Sequence, residues 1–333
     1  MNNLTPTSGS AFAAHRASPF DAAFAQDVLT GLSHAHKSLP CRWFYDARGS
    51  ELFEAITELD EYYPTRTEAD ILQARGAQMA ARTSPGSVLV EFGSGSSRKT
   101  ELVIEALPAL AAYIPIDVSI DALADAKMRL ARRFPSLRVL PVVGDFLTPL
   151  ELPIELENAP RLGFFPGSTI GNFTPPAARN LLNDMGHLLR GSSASGPSPR
   201  LIIGIDLQKE LSRLIPAYDD AKGVTAAFNL NLLARMNREL SADFDLAHFA
   251  HEAVWNAAEG RVEMHLVSTA AQSVVVAGQQ FAFADGERIH TENSYKYTLT
   301  GFHKLAQSAG WQVLDSWTDA DSLFSVHDLV FTG

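Results

Sequence analysis

Cysteine is almost absent from this sequence, since Cys41 is the only one among 333 residues. A single cysteine cannot form a disulfide within the chain, which argues against a disulfide-stabilised secreted scaffold. The sequence also lacks an apolar run of the roughly 18 residues that a membrane-spanning helix requires. We therefore expect a soluble, cytoplasmic protein with no membrane partner.

Positive charge is scarce as well. The chain has 27 Lys and Arg residues against 38 Asp and Glu residues, which gives a formal net charge of −11. Binding to a nucleic-acid backbone usually requires a clustered basic surface, so we expect no nucleic-acid partner. His248 and His251 are three residues apart, but no carboxylate or cysteine cluster accompanies them, so we expect no metal site. The most consistent expectation is a monomer that acts on a small molecule.

From Val88 onward, short apolar runs alternate with helix-like stretches, a pattern typical of parallel strands joined by crossover helices. Thr174 is predicted to cap the third helix, with Pro175 at its first position. The predicted strands are VLVEF (88–92), AYIPID (112–117), RVLPVVGDF (138–146), RLGFFPGS (161–168), LIIGIDL (201–207), WQVLDSW (311–317) and LFSVHDLVF (323–331). The predicted helices are 98–108, 121–133, 175–190 and 298–309.

The last two predicted strands follow each other without a helix and therefore form a hairpin. A doubly wound α/β sheet that ends in a hairpin is the Rossmann-like arrangement of class I methyltransferases. The alternation stops after Asp206 and leaves an insertion, 206–296, at the edge of the sheet where ligands of open α/β folds bind. We expect this insertion to cover a substrate. Within it, 266–278 predicts one or more antiparallel strands.

The segment EFGSGSSRKT (91–100) passes from an apolar strand into the glycine turn Gly93-Ser94-Gly95 and then into a helix. Glycine lets a nucleotide approach the backbone closely. Arg98 takes the place of the third glycine of a dinucleotide fingerprint, which disfavours a nicotinamide site without excluding it. Lys99 has two interpretations, as a partner for the carboxylate of a methionine moiety or as a solvated helix residue.

Two aspartates end the strands that follow the glycine turn. Asp117 is suited to the ribose hydroxyls of a nucleotide, and Asp145 to the adenine edge, with Phe146 packed on the ring. Each aspartate alone could equally cap the next helix. Together with the glycine turn, they predict that the chain binds an adenosyl group.

Four further stretches are distinctive: LPCRWFYDARGSELFEAITELDEYYPTRTEADIL (39–72), FFPGSTIGNF (164–173), AYDDAKGVTAAFN (217–229) and HTENSYKY (290–297). In this order they resemble the L-histidine Nα-methyltransferase family, whose product is hercynine, an intermediate of ergothioneine biosynthesis. The resemblance runs from about Leu39 to the C-terminus. It implies an S-adenosylmethionine-binding methyltransferase domain (67–205 plus 297–333) and a substrate-binding domain (21–66 plus 206–296). Residues 1–20 are rich in small and polar residues without a clear period, so we expect a flexible tail there.

The resemblance also implies roles for individual residues. The residues that would hold S-adenosyl-L-methionine are Gly93, Ser94, Gly95, Lys99, Asp117, Asp145 and Phe146, with Tyr45 nearby. Those that would surround the α-amino and carboxylate groups of L-histidine are Tyr62, Asn172 and Tyr218, and Tyr62 and Asn172 would be the catalytic pair. Those at the imidazole would be Glu292, Ser294 and Met264. Ser97 replaces a glycine of the commonest methyltransferase turn, and Asn293 lies between the two imidazole residues with an effect on affinity that the resemblance does not define.

The residue pattern gives partial support to this substrate site. Glu292 and Ser294 are two apart, so on a strand both point to one side and can address the two nitrogens of one ring. Glutamate is more often a solvated surface residue, and Asn172 after Gly171 could be an ordinary turn residue. The alternatives are an N-methyltransferase of an indole (tryptophan-like) amino acid, a non-catalytic S-adenosylmethionine-binding protein and a nicotinamide-dependent oxidoreductase.

Overall fold

The structure is a computed structural model that describes residues 19–95, 98–107, 109–153, 156, 159–191 and 197–333. Residues 1–18 of the expected tail lie outside the described residues, as do residues 192–196 before the strand predicted at 201–207. Across the described residues, no helix combines the length and the apolarity needed to cross a membrane.

The elements are numbered in chain order. The helices are α1 (Pro19–Ser33), α2 (Ala47–Thr57), α3 (Tyr63–Ala81), α4 (Arg98–Ala106), α5 (Ile120–Arg133), α6 (Pro175–Arg190), α7 (Leu211–Leu214), α8 (Val224–Glu239) and α9 (Leu299–Ser308). The strands are β1 (Lys37–Ser38), β2 (Val88–Phe92), β3 (Ala112–Asp117), β4 (Arg138–Val139), β5 (Val142–Val143), β6 (Arg161–Phe165), β7 (Arg200–Asp206), β8 (Phe249–Asn256), β9 (Arg261–Ser268), β10 (Gln272–Val276), β11 (Gln279–Phe283), β12 (Arg288–Tyr295), β13 (Trp311–Thr318) and β14 (Phe324–Phe331).

The main sheet has the strand order β13-β14-β7-β6-β2-β3-β4, and β5 also pairs with β3. The strands from β7 to β4 are parallel, whereas β14 is antiparallel to both β7 and β13. Helices α6 and α9 contribute to the apolar core on one face, and α3, α4 and α5 to the core on the other. The predicted doubly wound sheet with a C-terminal hairpin, the class I methyltransferase arrangement, is therefore confirmed.

Two local predictions are wrong. The segment 138–146 forms the two short strands β4 and β5 instead of one strand, and Pro141 lies between them. Proline has no amide N–H to donate to a sheet, so it interrupts the pairing. Thr174 occupies the N-cap position of α6, but its side chain makes no capping hydrogen bond. The first two helical positions, Pro175 and Pro176, offer it no N–H.

The insertion after β7 builds a second sheet, with the order β1-β12-β9-β8 and a separate β10–β11 hairpin. The antiparallel strands expected within 266–278 are thus present. Strand β1 comes from the N-terminal part of the chain, and its Lys37 and Ser38 pair in parallel with Ile289 and His290 of β12. Helices α1, α2 and α8 pack with this sheet around one apolar cluster. The N-terminal segment and the late insertion therefore share a core.

Candidate active site

The glycine turn lies where β2 meets the end of β3. Gly93 and Gly95 have φ angles of 71° and 46°, in the left-handed region that glycine tolerates best. The amides of Gly93 and Ser94 both donate to the Ile116 carbonyl, and the Gly95 amide donates to Asp117 Oδ2 over 2.9 Å. The Asp117 carboxylate is therefore held beside the turn. Ser96 and Ser97 lie outside the described residues.

Asp145 and Phe146 reach the same edge of the sheet from the loop after β5. The Leu147 amide donates to Asp145 Oδ1 over 2.9 Å, and Arg42 pairs with Asp145 Oδ2 at 3.2 Å. The Phe146 ring lies close to the turn. A Cβ atom added at Gly93 would lie 3.2 Å from Cε1 of this ring. The residues that the sequence assigned to the adenosyl group are thus gathered at one place.

Lys99 is an ion-pair partner, so its interpretation as a solvated helix residue is wrong. Its Nζ atom lies 2.6 Å from Oε2 of Glu68, and the lysine side chain is 20% exposed while that of Glu68 is fully buried. The Gly167 amide also donates to Glu68 Oε2, over 2.9 Å. This arrangement places Lys99 between the glycine turn and the loop after β6.

The sequence patterns indicate no role for Glu91, although it lies on β2 two residues before Gly93, where the glycine turn begins. Its buried carboxylate accepts hydrogen bonds from the hydroxyls of Thr100 and Tyr113. Burial raises the pKa of Glu91 to about 8, against the effect of these hydrogen bonds. The position of an acidic residue just before the turn is the signal that could have identified it.

A cavity of about 540 Å³, measured with its open mouth, lies between the main sheet and the second sheet. All six residues predicted to bind substrate line this cavity, together with Tyr45. Its lining residues are Tyr45, Phe53, Ile56, Tyr62, Gly167, Ser168, Thr169, Asn172, Ala217, Tyr218, Thr225, Phe228, Met264, Glu292 and Ser294. The predicted cofactor residues other than Tyr45 are not among them, and Lys99 approaches it at Gly167.

Six separate parts of the chain supply the predicted residues of this cavity. Tyr45 follows the 3-10 turn Cys41–Phe44, and Tyr62 directly precedes α3. Asn172 ends the 3-10 turn Thr169–Asn172, which follows β6. Tyr218 follows a short 3-10 turn after α7. The remaining three residues lie on the second sheet, where Met264 of β9 pairs in register with Glu292 of β12, two residues before Ser294.

Glu292 is the acidic group of the cavity. The Asn172 amide donates to its Oε1 atom over 3.2 Å. Burial raises the pKa of Glu292 to about 7, while nearby Lys296 and the Asn172 hydrogen bond oppose the rise. The resemblance assigned Asn172 to the α-amino end and Glu292 to the imidazole end of the substrate, and in the structure these two residues are in contact.

Tyrosine hydroxyls form another part of the cavity wall. The Tyr218 hydroxyl lies 2.8 Å from the Ser294 hydroxyl, and the rings of Tyr62 and Tyr218 pack edge to face with centroids 6.4 Å apart. Burial raises the pKa of Tyr62 and of Tyr218 well above the ordinary value. Both phenols therefore remain protonated at neutral pH.

The sequence missed an apolar wall of this cavity. Phe53 and Ile56 come from α2, and Phe228 from the first turns of α8. The Phe53 and Phe228 ring centroids are 6.0 Å apart. The stretch 217–229, quoted for the resemblance, contains Phe228, but the local pattern does not distinguish a cavity wall from an ordinary core position.

Comparisons with known proteins identify the family to which this sequence belongs. Residues 24–330 match the family described as "Histidine-specific methyltransferase, SAM-dependent". The histidine N-alpha-methyltransferase of Mycolicibacterium smegmatis is 44% identical over 303 residues, and that of Mycobacterium tuberculosis is 42% identical, with 89% of this chain and 91% of each relative covered. Among solved structures, a magnesium protoporphyrin IX methyltransferase from Synechocystis is 10% identical in sequence and has a TM-score of 0.47. The match covers 87% of this chain and 98% of that methyltransferase. This chain belongs to the family of histidine-specific, S-adenosylmethionine-dependent methyltransferases.

Proposed function

We propose that this protein transfers methyl groups from S-adenosyl-L-methionine to the α-amino group of L-histidine, forming hercynine as a step of ergothioneine biosynthesis. The observation that carries the proposal is the convergence of Tyr62, Asn172, Glu292 and Ser294 on one cavity. Together these side chains offer hydrogen-bonding groups for the imidazole, amine and carboxylate of one histidine.

The glycine turn supports the choice of methyl donor. Gly93 and Gly95, both at positive φ, leave a surface without side chains beside the Asp117 carboxylate. An adenosyl group fits such a turn because its ribose hydroxyls can donate to the carboxylate and its adenine can pack against Phe146. S-adenosylmethionine supplies an electrophilic sulfonium methyl group when bound.

The cavity residues support the choice of acceptor. Glu292, when ionised, can accept a ring N–H, and Ser294 can address the second ring nitrogen. Asn172 offers both a donor and an acceptor to the amine and the carboxylate. The Tyr62 phenol, protonated at neutral pH, can orient the amine through its hydroxyl without taking up a proton. We infer that Tyr62 and Asn172 hold the attacking nitrogen.

Alignment accounts for much of the expected rate acceleration, since well-oriented reactants gain roughly 7–11 kcal/mol. An α-amino group starts from a pKa of about 8, and desolvation lowers it, so the neutral amine is accessible without a strong general base. The apolar wall formed by Phe53, Ile56 and Phe228 supports such desolvation.

Glu292 favours histidine over an indole amino acid. An indole has one ring N–H and no second ring nitrogen, so it could form a ring hydrogen bond with only one of Glu292 and Ser294. We further propose that α1, α2, α8 and the second sheet act as the substrate-binding domain, and that the protein is a cytoplasmic monomer without nucleic-acid or membrane partners.

Mass spectrometry of histidine incubated with the protein and S-adenosylmethionine tests the proposal. Mass gains of one, two and three methyl groups are expected, with S-adenosylhomocysteine formed in proportion. Tryptophan is the matched control substrate and should gain far less. Calorimetric binding of S-adenosylmethionine without any gain on histidine would instead indicate a non-catalytic binding protein.

A further inference from the structure

A buried lysine lies directly behind the part of the cavity wall formed by Tyr218 and Ser294. Lys296 is 3% exposed. Its ammonium donates to the Tyr218 hydroxyl over 2.6 Å and to the Ser294 hydroxyl over 2.7 Å, and it pairs with the Asp206 carboxylate at 2.6 Å. An ammonium has three N–H donors, so all three are in use. Lys296 therefore acts on the cavity through the two hydroxyls.

The hydrogen bonds around these hydroxyls determine which way their protons point. Lysine can only donate, so both hydroxyl oxygens accept from Lys296. The oxygens of Tyr218 and Ser294 are also 2.8 Å apart, so one hydroxyl donates to the other. The proton of the other hydroxyl is not used within the pair. Both residues line the cavity, so this proton is available to a ligand there. The pair thus offers the cavity an O–H donor, whichever residue supplies it.

Asp206 holds the ammonium in this position. Burial by itself would raise the pKa of Asp206, but the charges of Lys296 and Lys209 hold this pKa below its ordinary value. The carboxylate also accepts from the Tyr63 hydroxyl at 2.8 Å. Lys209 contacts Asp206 and Tyr63 but neither of the two cavity hydroxyls. It is a second lysine on the same carboxylate, with a side chain 6% exposed, and it lacks the connection to the cavity.

We infer that Lys296 is a positioning residue that makes the Tyr218–Ser294 hydroxyl pair a hydrogen-bond donor toward an acceptor atom of the substrate. The inference rests on the proposed function. In histidine the available acceptors are the carboxylate and the unprotonated ring nitrogen. Glu292 in the same cavity is an acceptor, so the wall combines one acceptor with one enforced donor. A neutral imidazole, with one N–H and one bare nitrogen, complements that combination.

Lys296→Met tests the inference, with Lys209→Met as its matched control. Asp206 keeps one lysine partner in either variant, so neither leaves an unpaired buried carboxylate. We expect Lys296→Met to raise the KM for histidine by about tenfold, the loss expected for a charge-supported hydrogen bond, with a smaller change in kcat and an unchanged Kd for S-adenosylmethionine. Lys209→Met should change the KM much less. Equal changes in the two variants would overturn the inference.

Two ligands identify the acceptor group that the hydroxyl pair serves. Histamine lacks the carboxylate, and phenylalanine lacks the ring nitrogens. The calorimetric Kd of the ligand that lacks the relevant acceptor should be the same in the wild type and in Lys296→Met, whereas that of histidine should rise. An equal loss of affinity for all three ligands would show a general structural role and refute the positioning role.

A double-mutant cycle keeps the test decisive if Lys296→Met does not fold. Tyr218→Phe and Ser294→Ala retain the lysine, and their effects on histidine affinity should be strongly non-additive because one ammonium holds both hydroxyls. Additive effects would contradict the inference. Failure of the proposed function is distinguishable, since it would appear as a wild-type protein that does not methylate histidine at all.

Discussion

The side-chain amide of Asn172 donates a hydrogen bond to the Glu292 carboxylate over 3.2 Å, although 120 residues separate them in the chain. Asn172 belongs to the loop after β6 of the main sheet, and Glu292 belongs to β12 of the second sheet. The neighbouring Gly171 permits this approach, because a Cβ there would lie 2.9 Å from the Tyr295 carbonyl oxygen. The two sheets therefore meet at the cavity through a specific polar contact.

Glu292→Gln should stabilise the protein at alkaline pH and have little effect at acidic pH. Burial raises the pKa of Glu292 from 4.5 to about 7, so between these values the folded protein retains a proton that the unfolded chain has released. Stability from this group is consequently lost as pH rises through that window, by no more than about 3 kcal/mol. Urea unfolding of both proteins at pH 5 and pH 8 measures the difference, and an equal difference at the two pH values would contradict the assignment.

Gly93→Ala should weaken binding of S-adenosylmethionine, with Gly86→Ala as the matched control. Both glycines have positive φ angles, 71° and 78°, so each substitution should cost about 1 kcal/mol of stability. Only at Gly93 does the added Cβ approach the Phe146 ring, whereas nothing lies within 4 Å of it at Gly86. Calorimetry should show a raised Kd for Gly93→Ala alone. Similar cofactor affinities in the two variants would argue against a site at this turn.

Lys99→Met should strongly destabilise the fold, by roughly 3–5 kcal/mol, because it removes the cation that pairs with the fully buried carboxylate of Glu68. The double variant Glu68→Gln/Lys99→Met should recover much of this loss, since no uncompensated charge remains. Thermal unfolding of the three proteins is the measurement. If the double variant is no more stable than Lys99→Met, the ion pair is not the origin of the loss.

Tyr62→Phe and Tyr63→Phe should separate catalysis from stability at two adjacent residues. Tyr62 lines the cavity, whereas the Tyr63 hydroxyl donates to the buried Asp206. We expect Tyr62→Phe to lower kcat for histidine by tenfold or more, on the order of the effect of losing one positioning hydrogen bond, with an unchanged melting temperature. Tyr63→Phe should instead lower the free energy of unfolding by about 1–3 kcal/mol. Steady-state kinetics and thermal unfolding of both variants measure the two effects. A loss of stability in Tyr62→Phe with an unchanged kcat would contradict the prediction.

Hydrophobic patterning predicts most strands of the main sheet. The strands 88–92 and 112–117 have the predicted bounds, and the C-terminal hairpin is present. These features are local, because a run of apolar residues and its flanking turns report whether a segment is a strand buried in a parallel sheet. The single strand predicted at 138–146 is wrong because Pro141, which has no amide N–H, interrupts a segment that is otherwise apolar enough for one strand.

The sequence by itself also determined that Glu292 and Ser294 share one side of a strand, because side chains on a strand alternate between its faces. Only the tertiary structure decided what those residues meet. The Asn172–Glu292 contact and the burial of Lys296 between Asp206, Tyr218 and Ser294 join segments far apart in the chain. Local patterns carry no information about such distant partners, which are brought together only when both sheets pack around their cores.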